Sequence, residues 1–377
     1  MLNNNDSEKD KSLYINHFKE MTDPRRINKG NYYHPLNEIL FLVISAVISG
    51  ADGWTSIEVF GKAKLGWLRQ FLPYEHGIPS HDVLGKLFAR LSAKEFTNCF
   101  TNWVNSISDL TKGEVIAIDG KTICNSNDDT SSKSAIHLVS AYASENRICL
   151  GQEAVHEKSN EITAIPKLLE ILTIKGCIVT IDAMGCQKKI AEDIIGKGAD
   201  YILMVKDNQK NLKIQIEDSF KTKESQVTNT TTDFGHGRIE TRTCDVLDDL
   251  SLLEKRKDWK NIKSIVRITS QRIIKKTLKE STEQKYYITS LEADATRANQ
   301  AIRSHWSVEN NLHWNLDVVF KEDASLKKKG NSPMNFNIIT KIALTHIERE
   351  KSTKMSKNSK RLTAALDDKY RTKILRS

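Results

Sequence analysis

The chain has no apolar run long enough to cross a bilayer. Its longest, Ile39 to Ile48, is broken only by Ser45, and a membrane-spanning helix needs about 20 such residues. There is no Cys-x-x-Cys pair. Cys99, Cys124, Cys149, Cys177, Cys186 and Cys244 are scattered, which argues against the usual zinc and redox motifs. Cys149 and Cys177 sit in apolar, strand-like runs and read as reduced core residues. The opening residues are polar and lack the apolar centre of a signal peptide, so a cytoplasmic protein is expected. Gly120-Lys121-Thr122 imitates the end of a phosphate-binding loop, but the glycine due at 115 is Val115. Neither His156-Glu157 nor His313-Trp314 has the His-Glu-x-x-His spacing of a zinc hydrolase.

What is present is a chain of 377 residues, 39% hydrophobic and 28% charged. That length and balance suit two or three globular domains. The net charge of +9 is unevenly spread: Ala324 to Ser377 holds 14 Lys/Arg against 4 Asp/Glu. A basic segment of this kind is an electrostatic footprint for nucleic acid, although a solvated tail has the same composition.

Two stretches carry the chemistry. Val115-Ile116-Ala117-Ile118 is a short apolar run that ends in Asp119 and then Gly120. Cys177-Ile178-Val179-Thr180-Ile181 runs likewise into Asp182, 63 residues later. Apolar runs bounded by turn signals read as buried strands. A carboxylate at the end of such a strand stands at the rim of a sheet, where α/β sites form. A lone Asp there is commonly a turn former or helix cap. Two matching ones can aim at one point, where like charges repel unless a cation lies between them. Oxygen ligands of this type suit Mg²⁺ or Mn²⁺. A third acid, Glu309, falls among Ile302, Trp306, Leu312, His313 and Leu316 on one face of a helix. A carboxylate on a buried face requires a cation or another partner.

The rest of the chain supplies the setting. Residues 10–110 read as an all-α N-terminal domain, with helices at Leu36–Ile48, after a capping box at Thr55-x-x-Glu58, after Ser80, and at Lys94–Ile107. Residues 113–350 read as a mixed α/β unit. A hairpin is expected from Ala135–Ala143 and Arg147–Val155, helices at Glu161–Leu172 and Gln187–Lys197, and a strand at Tyr201–Val205. A β-rich insertion is expected over 221–292, with strands at Ile262–Ile268 and Tyr286–Leu291 and a turn at Phe234–Arg238. Helices return from Arg297 and at Asn335–Ile347, before a basic tail over 351–377 that begins as a linker. Trp306 and Trp314 read as core residues. Lys206, directly after a strand, reads as a phosphate ligand or a solvated strand-end lysine.

Ile118-Asp119-Gly120-Lys121-Thr122, His156-Glu157-Lys158-Ser159-Asn160-Glu161, Thr180-Ile181-Asp182-Ala183-Met184-Gly185, Val205-Lys206-Asp207-Asn208-Gln209 and His305-Trp306-Ser307-Val308-Glu309-Asn310 resemble the motifs of DDE transposases of bacterial insertion sequences. The wording is that of the H-repeat-associated subgroup, as are His313-Trp314-Asn315-Leu316-Asp317-Val318 and Gly77-Ile78-Pro79-Ser80-His81-Asp82. The resemblance spans about residues 14 to 375. It implies a ribonuclease H-like catalytic domain, with Asp119, Asp182 and Glu309 as catalytic acids holding two Mg²⁺ or Mn²⁺ ions for DNA cutting and joining. It implies double-stranded DNA as partner, both element ends and target, with a homodimer acting on DNA at the nucleoid. A related, larger group carries Tyr, Arg and Lys around its last acid. Those positions here are Ile302, His305 and Leu316, so His305 stands for the Arg, and Asp317 adjoins as an accessory acid. Lys121 joins Lys206, Arg238, Arg242 and His305 as a candidate phosphate contact. The alternative is an inactive or domesticated DNA-binding regulator on the same fold.

Overall fold

A computed structural model describes residues 14–25, 33–127, 134–155, 160–225, 227–235 and 237–377. The expected polar leader and the His156-to-Ser159 part of one motif lie largely outside the described residues. The centre of the molecule is a nine-stranded mixed sheet, ordered β3-β2-β1-β4-β5-β9-β8-β7-β6. Its strands are β1 (Val115–Ile123), β2 (Ile136–Ala143), β3 (Ile148–Val155), β4 (Ile178–Ile181), β5 (Asp200–Val205), β6 (Val227–Gly235), β7 (Arg238–Leu247), β8 (Ser264–Ile274) and β9 (Glu280–Thr289). β1, β4 and β5 run parallel, β2 and β3 form an antiparallel hairpin on β1, and β9 joins β5 antiparallel.

Two features of the sheet differ from expectation. β1 does not stop at Asp119 but continues to Ile123 against β2; only its pairing with β4 ends at Ile118. The stretch 221–292 does not build a sheet of its own, since β6 to β9 extend the central one. Two of those strands, β6 and β7, were hidden because their exposed faces carry Thr, Asn and Arg. Period-2 apolar alternation weakens where neither face is fully covered.

Around the sheet the helices are α1 (Leu36–Ile48), α2 (Trp54–Ala63), α3 (His81–Arg90), α4 (Ala93–Ile107), α5 (Glu161–Ile171), α6 (Lys188–Gly196), α7 (Lys210–Thr222) and α8 (Ala295–His305). A π-helix (Val308–His313), the short α9 (Trp314–Val318), α10 (Ser332–Arg349), α11 (Lys357–Leu366) and α12 (Asp368–Leu375) follow. α2 begins after Gly53, with the Ser56 hydroxyl bonded to the Gly53 amide. The expected Thr55-to-Glu58 box is therefore not the cap; Glu58 instead accepts from the His81 amide at 2.7 Å.

α1 is apolar on all sides and almost wholly buried, as a helix packed on every face must be. It lies against α10, and Leu40, Val43 and Ile44 share one hydrophobic cluster with Ile116, Val179, Ile339 and Ile342. The helical N-terminal part and the α/β part are thus continuous in packing. α8 covers the opposite face of the sheet, where Ala298, Ala301 and Ile302 meet Val115, Ile178, Ile202 and Tyr287.

The stretch 351–377 is not a free basic tail, because two helices occupy most of it. Arg371 is fully buried, its guanidinium 3.9 Å from the Trp67 ring centre and bonded to the Ala364 carbonyl and the Asp368 carboxylate. Arg361 bonds the Val47 carbonyl and Asp52. Long cationic side chains bury apolar stems well when their heads find acceptors, which composition alone does not reveal.

Candidate active site

Strand periodicity fixes the first two acids. On β1 and β4, Val115 and Ile178 face α8, and side chains repeat every second residue. Asp119 and Asp182 therefore lie on the α8 face. Ile118 pairs with Ile181 in the parallel register, so each Asp follows the last paired residue of its strand. Lys206, two residues beyond Met204 on β5, comes to the same edge. α8 crosses this face and leads into the π-helix that packs against β1. That wide turn carries Glu309 and His313, and isolated π turns recur at functional sites.

The result is a cavity of about 210 Å³ bordered by Asp119, Asp182, Lys206, His305, Trp306 and Glu309. His313 Nδ1 lies 3.5 Å from Asp119 Oδ2 and 3.5 Å from Glu309 Oε2. Ligand atoms of Asp119, Glu309 and His313 all fall within 4.8 Å of one another. Asp182 borders the same cavity but is outside that tight group, and its Oδ1 accepts from the Met184 amide at 3.0 Å. It is both a turn cap and a wall of the site.

The electrostatics mark Asp119. Burial, then the neighbouring Glu309 and Asp182 carboxylates, push its carboxyl up to about 8. Its Oδ2 is buried without a hydrogen-bond partner. An orphaned oxygen facing a second carboxylate and an imidazole fits a cation, which would take the place of the proton that the raised value keeps on the acid pair. Burial, with the Lys341 and Lys121 charges, holds His313 down at about 3. His305, lowered by burial, bonds Thr180 Oγ1 through Nδ1 at 3.0 Å.

The remaining candidates divide. Lys121 is turned away from the cavity into ion pairs with Asp317 and with Glu322 Oε2, the latter at 2.9 Å. Asp317 is thus a partner of Lys121 rather than a fourth acid in the group. Arg238 and Arg242 both pair with Glu240 and border an open groove of about 800 Å³ beside the cavity. Trp306 and Trp314 are not core residues: they are 49% and 55% exposed. Glu309 is likewise about half exposed, not on a buried face. The reason is shared. α8 ends at His305 and a π turn intervenes, so a single 3.6-residue phase does not run from Ile302 to Leu316. His313, Lys285 and Arg303 were missed. Only His313 left a signal in the sequence, standing four residues after Glu309; Lys285 reaches the site from β9 by sheet pairing.

The description Transposase DDE domain matches residues 110–345, and DDE_Tnp_1-associated matches residues 15–104. The chain is 41% identical over 351 residues to the H repeat-associated putative transposase YhhI of Escherichia coli K12, covering 91% of this chain and 92% of that protein. It is 40% identical over 359 residues to the putative transposase YncI of Escherichia coli O157:H7, covering 93% and 91%. A solved piggyBac transposase synaptic complex with hairpin DNA aligns at a TM-score of 0.43 and 11% identity, over 98% of this chain and 78% of that one. With matches spanning both the helical and the α/β parts, the chain belongs to the DDE transposase family, in its H-repeat-associated subgroup.

Proposed function

We propose that this transposase cleaves DNA at the ends of its own element and joins the freed 3′ ends to target DNA, using Asp119, Asp182 and Glu309. The observation that supports the reading is the parallel pairing of Ile118 with Ile181, after which Asp119 and Asp182 follow on adjacent strands of the cavity that Glu309 also borders. The order β3-β2-β1-β4-β5 with β1, β4 and β5 parallel supports a ribonuclease H-like core. Asp119 and Glu309 would hold Mg²⁺ or Mn²⁺ with Asp182 completing a two-ion site. Such ions, when bound, neutralise the phosphate oxygens and lower the pKa of an attacking water or 3′-hydroxyl.

The protein's own part is placement. Trp306 and Lys285 border both the acid-lined cavity and the adjoining groove, whose walls include Arg238, Arg242, Arg272 and Arg303. Those cations suit the phosphate backbone, and the exposed indole offers a stacking face for a base at the cut. Lys206 would contact the scissile phosphate from the strand end. The protein would act as a homodimer on paired double-stranded ends. Substituting Asp119→Asn, Asp182→Asn or Glu309→Gln is expected to abolish Mg²⁺-dependent strand cleavage while retention of end DNA in a gel-shift assay is unchanged. A variant that still cuts removes that residue from the mechanism.

A further inference from the structure

We infer that the imidazole of His313 is a ligand of the cation held by Asp119 and Glu309, so that one ion of the site has a nitrogen donor. The inference rests on the reading of those acids as a cation site and adds the third donor. Three observations carry it. His313 is only 5% exposed, so its ring meets protein groups rather than solvent. Imidazole is the commonest side-chain ligand of protein-bound metals. Its Nδ1 stands 3.5 Å from one oxygen of each acid. Neighbouring donors at about 2.1 Å around an octahedral ion stand about 3 Å apart, so small side-chain rotations close the set. Finally, Asp182 is tied to the Met184 amide and lies outside the tight group. Imidazole, not a third carboxylate, therefore completes the corner nearest Asp119. The π-helix lends further support, because it places Glu309 and His313 on one turn facing β1.

Nitrogen ligation has a consequence for metal choice. A nitrogen donor discriminates against Mg²⁺, which prefers oxygen, and favours first-row transition ions in the order Mn²⁺ < Fe²⁺ < Co²⁺. The experiment uses the full chain with Mn²⁺ alone as probe. Electron spin-echo modulation of bound Mn²⁺ is expected to report a directly coupled ¹⁴N nucleus. Calorimetry is expected to show Mn²⁺ binding weakened about tenfold or more in His313→Leu and His313→Asn, as loss of even outer-shell partners does elsewhere, with Mg²⁺ binding changed less. Absence of nitrogen modulation in the wild-type protein overturns the inference without reference to any variant. So does a nitrogen signal, or an Mn²⁺-to-Mg²⁺ preference, that persists unchanged in both variants. Asp119→Asn separates the two readings. If it binds Mn²⁺ as well as wild type does, the acids are not the cation site at all. If it loses Mn²⁺ while the wild-type spectrum lacks nitrogen, only the role of His313 fails.

Discussion

Replacing Glu350 by Gln tests whether the basic C-terminal segment is a structural part of the molecule. Glu350 follows α10 and is 2% exposed. Its carboxylate accepts from the Ser352 amide at 3.0 Å, Thr353 Oγ1 at 3.0 Å and Tyr370 Oη at 2.9 Å, and Lys360 Nζ lies 3.3 Å away. Burial alone would raise its pKa; the hydrogen bonds from Ser352, Tyr370 and Thr353 outweigh this and lower it from 4.5 to about 2. Each pKa unit corresponds to about 1.4 kcal/mol, so the charged form contributes about 3 kcal/mol at pH 7. Because the folded value is depressed, that contribution is complete above pH 4.5 and is lost as pH falls through about 2. At pH 3 about 1.4 kcal/mol remains. Urea unfolding of wild type and Glu350→Gln at pH 7 is expected to differ by about 3 kcal/mol, and by roughly half that or less at pH 3. A difference below about 0.5 kcal/mol at pH 7, the size of an ordinary surface change, refutes the argument that Glu350 clasps α11 and α12.

Other outcomes follow from the sheet and the cavity. A Cβ at Gly120 would stand 2.1 Å from Glu161 Oε1 and 2.6 Å from His137 Nε2, which bond each other at 2.6 Å. Gly120→Ala is therefore expected to lower the melting temperature, with partial recovery when Glu161→Ala opens the space; no recovery would place the strain elsewhere. Trp306→Ala is expected to weaken binding of end DNA by about 1–3 kcal/mol, the usual worth of a base on an aromatic ring, while the melting temperature stays within a degree or two. A large melting shift instead would make the indole structural. Adding Mn²⁺ to chelator-treated protein at about 100 times its Kd is expected to stabilise the fold by about 2.7 kcal/mol, and Asp119→Asn is expected to erase this in differential scanning fluorimetry.

Several parts of the molecule were legible in the residues. Strong local patterns gave α1, α4, α5, the β2–β3 hairpin and the two strands that lead into acids, because a fully buried helix or central strand must be apolar along its length. β6, β7 and α7 were not legible. Their outer faces are solvated, and the apolar positions that remain, such as Ile216 and Phe220 on α7, are too sparse to declare a period. The phase error at Trp306 and Glu309 has a different origin, since a π turn is a departure from the very spacing used to read helices. The basic segment misled because composition counts charges and does not say where their heads end. Lys360 Nζ, for example, donates to the Ile347 carbonyl at 3.0 Å.

What the sequence alone determined is where two buried apolar runs lie and that each ends in an acid: β-branched runs can bury a strand, and each run stops at an Asp. What only tertiary structure decided is which groups meet. The parallel register of β1 and β4, the passage of α8 across the sheet and the wide turn after it bring Asp119, Glu309 and His313 to one point. The same folding sends Lys121 and Asp317 to each other instead. Periodicity specifies a face within one element, whereas the meeting of faces from elements nearly 200 residues apart depends on how the whole core packs.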